Sequence, residues 1–279
     1  MELLSHAGAG PDRQAYYGAA RLDRIFFTLF TARARAYYRR LERTTYDPLG
    51  REDGVRDERK AGVLFTLGRQ IARLGSVTGG LRLEHINYRD SRFPGKVSLD
   101  VRTITLRSEV ETLDRVPFPT RGHHNIVQLD LTGKLLGGDV EYTRIYTSLG
   151  TYFTPTPLLT YHPTFTLGIS RIGLPPTEQF YMGGLHSFSG LRTHQLAGDK
   201  LILLNQELRV RLPLRWYLTG HFDIGEVYKS TDEIKLSNLR HGIGATLAFD
   251  SPLGPLEFGY GVELDSDIDR WYFRAGFSF

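Results

Sequence analysis

The sequence predicts an all-β fold, an antiparallel sheet of about a dozen strands of about ten residues each, long enough to cross a bilayer when tilted. Apolar and polar residues alternate with a period of two through most of the chain, and clusters of Gly, Pro and Asp interrupt the alternation. No segment of convincing length shows the period of about 3.6 residues that an amphipathic helix requires. We therefore expect a single β domain over residues 1–279.

The first half of the chain contains several segments with one apolar and one polar face. Alternation runs from residue 26 to 38, and shorter segments follow at 63–67 and 77–84, after a turn at 47–50. Between residues 97 and 112 the apolar face changes, because Val97, Leu99 and Val101 are followed by Ile104 and Leu106. A β-bulge would explain this change of face, and so would an incorrect register.

The second half alternates more regularly. The segments are 127–132, 159–169 (interrupted by Pro163), 202–212, 216–224 and 256–265. Charged residues recur in mid-strand, next to large apolar residues on the opposite face. A soluble sandwich with one polar face produces the same alternation, so periodicity alone leaves both kinds of all-β fold open.

Composition restricts the possible functions. The net charge of +4 is small for 279 residues, and the chain has no cysteine for a disulfide or a thiolate site. No run approaches the roughly 18 apolar residues of a membrane helix, but transmembrane β-barrels lack such runs because lipid-facing and lumen-facing residues alternate. One basic cluster alternates with apolar positions, which favours a solvated strand face over a nucleic-acid partner. It comprises Arg33, Arg35, Arg39, Arg40 and Arg43.

The C-terminal segment 271–279 reads as a strongly amphipathic strand, and the chain stops on an aromatic residue. One face carries Trp271, Phe273, Ala275, Phe277 and Phe279, and the other carries Tyr272, Arg274, Gly276 and Ser278. This pattern resembles the closing strand of a bacterial outer-membrane barrel, whose outer face contacts lipid and whose inner face lines a polar lumen. The residues that carry this signal are Trp271, Phe273, Gly276, Phe277 and Phe279. An ordinary C-terminal sheet strand is the alternative.

The long segment 171–199 has no strand pattern, and loops of this length inside a compact domain are usually functional or disordered. Its glycines and aromatic residues indicate an ordered, packed loop. Its Phe-x-x-Gly-Gly-x-x-x-x-x-Gly pattern begins at Phe180, includes Gly183, Gly184 and Gly190, and is followed by Gly198-Asp199. The pattern resembles the conserved loop of the BamA/TamA-type outer-membrane assembly-factor superfamily. In that family the loop folds back into the barrel lumen.

Further motifs of this superfamily occur in the correct order, and together they extend from residue 114 to the C-terminus. Asp114 precedes a Pro-Phe-Pro-Thr-Arg-Gly sequence at 117–122, Glu207-Leu208-Arg209 lies in the strand after the loop, and Asp223-Ile224-Gly225 lies in the next one. Residues 251–256, Ser-Pro-Leu-Gly-Pro-Leu, followed by Gly-Tyr-Gly at 259–261, match a hairpin of the family closely. As in the family, five strands are expected after the loop.

The resemblance implies an antiparallel transmembrane β-barrel, of which this chain is the C-terminal part. The family barrel has sixteen strands and is preceded by periplasmic domains, and insertion of clients is thought to use a gate between the first and last strands. Residues 1–6 lack the basic start and apolar core of a secretory signal. We therefore expect residues 1–279 to lack the first strands and the N-terminal periplasmic domains, and residues 171–199 to form the lumen loop.

One departure from the family concerns an arginine. The family loop typically reads Arg-Gly-Phe or Arg-Gly-Tyr, whereas this chain has Ser189-Gly190-Leu191. Arg192 is the candidate substitute, reaching Asp223 or Glu207. The Ser-Gly version resembles the barrels attached to bacterial patatin-like phospholipases, so an anchor or translocation barrel for such an enzyme is the alternative function.

Catalytic and metal patterns are weak. There is no Gly-x-Ser-x-Gly nucleophile elbow, and His186 and His194 lie in the loop with Ser187 and Ser189. His123-His124 has no third ligand at metal spacing, and Gly242-Ile243-Gly244 lacks the third glycine of a dinucleotide site. Four carboxylates are expected to face a solvated lumen without an acid–base partner: Asp114, Glu207, Asp223 and Glu257.

The sequence therefore predicts an integral outer-membrane barrel, without enzymatic activity or a cofactor, that inserts or translocates proteins. A passive pore is the remaining alternative. Expected partners are outer-membrane lipids, lipopolysaccharide and client or passenger proteins. The residues expected to hold the loop in the lumen are Gly183, Gly184, Ser189, Gly190, Leu191, Arg192, Glu207, Asp223 and Gly225.

Overall fold

A computed structural model of the chain describes residues 2–10, 13–22, 30–71, 75–266 and 268–276. Sixteen strands are present in these residues, with short 3₁₀ turns at Lys134–Leu136, Pro213–Arg215 and Leu236–Asn238. The strands are β1 Glu2–Gly10, β2 Arg13–Leu22, β3 Phe30–Tyr46, β4 Glu52–Ile71, β5 Gly75–Asp90, β6 Val97–Glu111, β7 Gly122–Thr132, β8 Tyr142–Thr156, β9 Leu159–Ser170, β10 Phe180–Met182, β11 Leu196–Gly198, β12 Lys200–Arg211, β13 Trp216–Tyr228, β14 Arg240–Ser251, β15 Gly254–Glu263 and β16 Ile268–Ala275.

Fourteen of the described strands form one antiparallel sheet in which each strand pairs with its neighbours along the chain, from β1 at one edge to β16 at the other. The exception to sequential order is β10–β11, a separate two-stranded hairpin inside the long loop, so that β9 pairs directly with β12. Five strands of the sheet follow the loop in the described residues, as the family resemblance predicted. β1 and β2 lie in a part of the chain where the sequence pattern indicated no strands.

The two faces of the sheet differ in chemistry as the alternation predicted. Inward side chains are mostly polar or charged and buried, and they include Lys60, Glu84, Thr103, Asp130, Thr132, Thr166, Thr219, His221, Asp223, Thr246, Glu257 and Glu263. Outward side chains are large, apolar and exposed, and they include Phe65, Leu67, Ile104, Leu106, Val127, Leu131, Ile145, Phe165, Leu218, Phe222, Ile243, Leu247, Phe258 and Phe273. A soluble sandwich would bury the apolar face, so the all-β transmembrane prediction is confirmed over the soluble one.

The sheet has two ends, which we name by their connections. The loop end carries the connections 47–51, 91–96, 133–141, 171–199, 229–239 and 264–266, and the turn end carries 112–121, 157–158, 212–215 and 252–253. In the described residues no helix is long and apolar enough to span a membrane.

The change of face between residues 97 and 112 is not a bulge. β5 and β6 pair in one uninterrupted register from Tyr88↔Val97 to Gly75↔Val110. Val101 is fully buried on the inner face, whereas Ile104 and Leu106 are exposed on the outer face. The apolar residues therefore change from the inner to the outer face because β6 passes from the packed interior at the loop end into the apolar band.

The apolar core lies inside the curved sheet, at the loop end. It joins residues of the long loop to inward residues of β8 and β12: Tyr142, Leu174, Phe180, Met182, Phe188, Leu191, Leu196, Leu201 and Leu203. Phe188, Met182 and Leu191 have no exposed surface. The loop is thus a packed structural element, which its glycine and aromatic content indicated.

The C-terminal strand β16 follows the predicted alternation. Trp271 and Phe273 are 65% and 74% exposed and point outward, and Trp271 packs on Tyr260 and Phe258 of β15 with ring centroids 4.5 and 5.2 Å apart. Gly276 ends the strand with a φ of +86°. Phe277 and Phe279, also part of the predicted signal, lie outside the described residues.

Candidate functional site

The candidate site is the loop 171–199 together with the inner wall that holds it. The loop leaves β9, forms the β10–β11 hairpin with Phe180 opposite Gly198, and returns to β12. Its side chains contact inward residues of β4, β5 and β8 on one wall and of β13 to β16 on another, so it crosses the lumen. These contacts occur at four places.

The first contact is an ionic anchor at Glu178. Its carboxylate accepts hydrogen bonds from Lys60 Nζ of β4 at 3.0 Å and from Arg82 Nη2 of β5 at 2.9 Å. The Tyr142 hydroxyl donates to the same carboxylate at 3.1 Å, and Arg144 Nη1 donates to the Glu178 carbonyl at 2.8 Å. Burial raises the pKa of Glu178, but the charges of Arg82 and Lys60 outweigh burial and hold it well below its usual range. The anchor is therefore an ionised carboxylate enclosed by cations. Sequence reasoning missed it, because its partners lie about a hundred residues away on separate strands.

A second ion pair lies beside this anchor. Arg56 of β4, which is buried, donates to Asp90 of β5 through Nε at 3.0 Å and to the Pro176 carbonyl through Nη1 at 3.1 Å. The Tyr181 hydroxyl donates to the same carbonyl at 2.8 Å. The first part of the loop is thus fixed to β4 and β5 through both its side chains and its backbone.

The second contact is the predicted brace at Asp223 of β13. Its Oδ2 accepts the backbone N–H of Ser189 at 2.8 Å, and its Oδ1 accepts Asn205 Nδ2 of β12 at 2.8 Å. Asn205 also donates to the carbonyl of Ser187. The carboxylate binds the loop backbone at Ser189 rather than a loop arginine.

The third contact is a flat surface made of four inward glycines, Gly242 and Gly244 of β14 and Gly259 and Gly261 of β15, which we call the glycine seat. An added Cβ at Gly244 would lie 2.8 Å from Ser189 Oγ, and one at Gly261 would lie 2.7 Å from the Gly190 nitrogen. The loop therefore packs where the wall has no side chains. Gly242 and Gly244, considered above as a weak nucleotide motif, serve this packing.

Gly190 fits this seat for two reasons. Its φ of +89° lies in the left-handed region, and a Cβ would overlap the backbone of Val262 and Glu263. Gly183 also has a positive φ, +120°, and a Cβ there would overlap the carbonyl of Arg192. Both glycines were predicted from the loop motif.

The fourth contact joins the loop to the edge strand β16. The Tyr272 hydroxyl donates to the Leu191 carbonyl at 2.8 Å. His186 Nε2 lies 2.8 Å from Glu257 Oε2 of β15, and Arg274 Nε of β16 lies 2.9 Å from the same oxygen. We call these two contacts the edge latch. The sequence placed Tyr272 and Arg274 on the inner face but gave no sign of their loop partners.

The remaining predicted loop residues lie elsewhere. Arg192 does not pair with Asp223 or Glu207: its Nε donates to the Gly50 carbonyl at 3.1 Å, and its guanidinium lies 5.2 Å from the centre of the Tyr46 ring. The prediction for Arg192 was wrong, because residue 192 lies beyond the seat and faces the β3–β4 turn. Gly184 has a φ of +106°, and Leu191 is fully buried in the core.

Glu207 and Gly225 lie on the wall away from the loop. Glu207 Oε2 is 3.1 Å from His162 Nδ1, and Oε1 is 3.7 Å from His221 Nδ1. A Cβ at Gly225 would lie 2.7 Å from the Ile202 carbonyl of β12. In the described residues Glu207 bonds to wall histidines rather than to the loop, which differs from the brace expected of it.

Between the loop and the turn end lies a cavity of about 530 Å³, which we call the chamber. Its wall includes His124, His162, His221 and Glu207, together with a cluster around Arg209. The Arg209 guanidinium lies 5.6 to 5.9 Å from the ring centres of Phe118, Tyr152 and Tyr217. The chamber is polar with aromatic edges, as a hydrated lumen below a packed loop would be.

Asp114 was expected to face the lumen and instead organises the turn 112–121 at the turn end. It accepts hydrogen bonds from Thr120 Oγ1 at 2.6 Å, Thr120 N at 2.7 Å and Arg121 N at 3.1 Å. Burial raises the pKa of Asp114, but these hydrogen bonds outweigh burial and hold it well below its usual range. Asp114 and the Thr120-Arg121 pair of the sequence motif are thus partners in one turn.

Comparison with known proteins agrees with this architecture. Residues 31–279 match the model of the Omp85 superfamily domain, and the chain belongs to that superfamily. It is an integral outer-membrane β-barrel domain, as the sequence resemblance predicted. The outer membrane protein assembly factor BamA of Nitratidesulfovibrio vulgaris is 26% identical over 187 residues, which are 61% of this chain and 24% of that protein. The chain therefore spans about a quarter of the length of this relative.

Solved structures show the same fold. BamA from Haemophilus ducreyi lacking POTRA domains 1–3 superposes with a TM-score of 0.83 at 16% identity, over 97% of this chain and 63% of that one. CdiB from Acinetobacter baumannii and CdiB from Escherichia coli give TM-scores of 0.66 and 0.69 at 15% identity. The two superpositions cover 93% and 94% of this chain, and 48% and 52% of the respective CdiB chains.

Proposed function

We propose that this barrel domain takes part in the insertion or translocation of proteins at the outer membrane, as its relatives named assembly factor do. The observation that carries the proposal is the loop: it is held in the lumen by Glu178 and Asp223 and is tied by the edge latch to β16, the strand at the edge of the sheet. A sheet edge offers unpaired backbone groups to another strand. A loop that fixes the edge strand can therefore control when a client strand is admitted.

The proposed partners follow from the two faces of the sheet. The exposed apolar band on the outer face suits the acyl chains of outer-membrane lipids, including lipopolysaccharide. The edge at β16 suits an extended segment of a client or passenger protein. The predicted roles of Gly183, Gly184, Ser189, Gly190, Leu191 and Asp223 in bracing the loop belong to this proposal.

We propose that the domain itself is not an enzyme. Ser187 and Ser189, the serines nearest to the loop histidines, bond through their backbone to Asn205 and Asp223, and Ser187 Oγ accepts the Gly183 N–H. None of the relatives described above favours the alternative role as an anchor of a patatin-like phospholipase. A loop packed across the lumen also argues against a passive pore.

The test is a folding assay in proteoliposomes that contain the full chain. A urea-denatured outer-membrane β-barrel client is added, and its folded fraction is read by heat-modifiable migration on gels. We expect faster client folding than in empty liposomes, and a slower rate with Asp223→Ala. The matched control is Asp232→Ala, at an exposed aspartate of the 229–239 loop, which should behave as the unsubstituted protein does.

Two results would contradict the proposal. One is a client folding rate equal to that of empty liposomes. The other is a large steady ionic conductance in planar bilayers that is unchanged by a client and by Asp223→Ala, which would indicate the passive pore.

A further inference from the structure

A group of potential metal ligands lies on the inner face near the turn end, outside the loop and its four contacts. Glu109 and Glu111 belong to β6, and His124 belongs to β7, directly opposite Glu111 in the strand register. One ligand atom from each of the three residues lies within 4.8 Å of the others. The sequence showed the histidine but no third ligand, because the ligands are brought together by strand pairing across the 112–121 turn.

The existing contacts orient two of the three ligands. Glu109 Oε1 lies 3.2 Å from His124 Nε2. The other oxygen, Oε2, accepts both Nε and Nη2 of Arg107, at 3.2 and 3.1 Å. Arg107 therefore holds the carboxylate with one oxygen directed towards the histidine, as hydrogen bonds to metal ligands from neighbouring residues commonly do.

Glu111 is the one of the three ligands that has no other side-chain interaction among the described residues. Its side chain is exposed and makes no hydrogen bond or ion pair with the residues that the structure describes. Two carboxylates close together repel each other, and one of them here has no cation of its own. A bound cation would relieve this repulsion.

The ligand spacing suits a small divalent cation. Ligands about 2.0–2.1 Å from a tetrahedral zinc ion are about 3.4 Å apart; Glu109 Oε1 and His124 Nε2 are 3.2 Å apart, and the three ligand atoms lie within 4.8 Å of one another. Imidazole and carboxylate ligands suit first-row transition metals, and calcium prefers all-oxygen sites. Of the three ligands His124 lines the chamber, and the Glu111 side chain is exposed, so water can complete the coordination.

We propose that Glu109, Glu111 and His124 form a binding site for a first-row divalent transition cation, with Zn²⁺ the best match to the ligands. The bound ion joins β6 to β7 where the 112–121 turn begins. Because His124 also lines the chamber, the ion stiffens the mouth of the chamber on that side. The site is independent of the proposed function in protein insertion.

The experiment is a calorimetric titration of the detergent-folded full chain with Zn²⁺ at neutral pH, after treatment with a chelator and dialysis. The variants are His124→Gln and Glu111→Gln. His123→Gln is the matched control, since His123 is the adjacent residue on the outer face and bonds to Thr151 Oγ1 at 3.0 Å. We expect one saturable site in the unsubstituted chain and in His123→Gln, and an affinity lower by at least about tenfold in the other two variants.

Equal affinities in the unsubstituted chain and His124→Gln would overturn the proposal, as would the absence of saturable binding, which would leave a metal-free His–Glu pair. A second measurement needs no substitution and so does not depend on variant folding. Histidines of the unsubstituted chain are carbethoxylated and located by mass spectrometry, with and without Zn²⁺. Zn²⁺ should slow modification of His124 but not of His123, and equal rates at His124 in both conditions would overturn the site.

Discussion

Glu178 of the lumen loop and Lys60 of β4 form an ion pair of 3.0 Å in which the two side chains are only 3% and 5% exposed. On another wall of the lumen, Asp223 holds the Ser189 backbone at 2.8 Å. The loop is therefore fixed at both ends of its path by carboxylates, one on the loop and one on the barrel. Its position depends on interactions that are costly to break, because each leaves a buried partner unsatisfied.

Glu178→Gln should destabilise the folded barrel. The substitution removes the negative charge that compensates Lys60, Arg82 and Arg144, and breaking a buried pair in this way costs about 3 kcal/mol. The measurement is the guanidinium midpoint of the detergent-folded barrel. Glu141→Gln, at an exposed position before β8, is the control and should leave the midpoint unchanged. Identical midpoints for both variants would show that Glu178 is not an anchor.

Asp223→Ala should release the second half of the loop. It removes the acceptor for the Ser189 N–H and for Asn205 Nδ2, a loss of about 1–3 kcal/mol for each buried group left unpaired. We expect faster proteolysis within residues 183–192 of the folded barrel, read by mass spectrometry of the fragments. Asp223→Asn, which keeps one acceptor, should have a smaller effect. Unchanged protection in Asp223→Ala would rule out the brace.

Gly190→Ala should displace the loop from the glycine seat. The added Cβ overlaps the β15 backbone at Val262 and Glu263, and such overpacking costs about 1–3 kcal/mol. Gly137→Ala is a matched control, because Gly137 has a similar φ of +80° with nothing within 4 Å of an added Cβ. The control carries the backbone strain without the overlap. If the lumen loop is equally protected from protease in both variants, the overlap does not displace the loop and the glycine seat is not required to hold it.

The hydrogen bonds at Asp114 predict a pH dependence of the 112–121 turn. The pKa of this carboxyl is lower in the folded chain than its ordinary value of about 4. Its contribution to stability is therefore complete above that value and is lost only as the pH falls towards the lower, folded pKa. The carboxyl carbon shift of Asp114, followed by NMR in detergent, should titrate below that of a peptide of residues 112–122.

Thr120→Ala tests the cause of this shift. It removes the hydroxyl that donates to Asp114 Oδ2 at 2.6 Å and leaves the two backbone donors. The pKa of Asp114 should rise towards that of the peptide without reaching it. A titration of Asp114 identical to that of the peptide in the unsubstituted chain would contradict the hydrogen-bonded turn.

Much of the fold could be predicted from the sequence, because side chains in a strand alternate strictly between two faces. This periodicity placed Phe258, Trp271 and Phe273 on the lipid face and Tyr272 and Arg274 on the lumen face. The failure at β6 has a physical reason. Either face of a strand can be apolar, depending on what it contacts. In β6, Val101 is buried in the interior of the barrel, whereas Ile104 is exposed on the outer, lipid-facing surface.

The site was predictable where it rests on local backbone requirements. Gly183 and Gly190 have positive φ values and lie against neighbouring backbone, which requires glycine. Asp223 belongs to the Asp-x-Gly motif in the second strand after the loop. The partners of Glu178, the glycine seat and the destination of Arg192 were not predictable. These contacts depend on which strands face each other across the lumen. Strand alternation predicts the face on which a side chain lies, but it does not predict which residue lies opposite that side chain across the lumen.

By itself, the sequence determined the β architecture, the membrane-facing surface and the existence of an ordered loop, since these follow from short-range periodicity and turn chemistry. Only the tertiary structure decided how that loop is held and that Glu109 and Glu111 meet His124. Those contacts join residues on different strands or join the loop to a strand, and their energies depend on burial and distance, which are properties of the folded barrel.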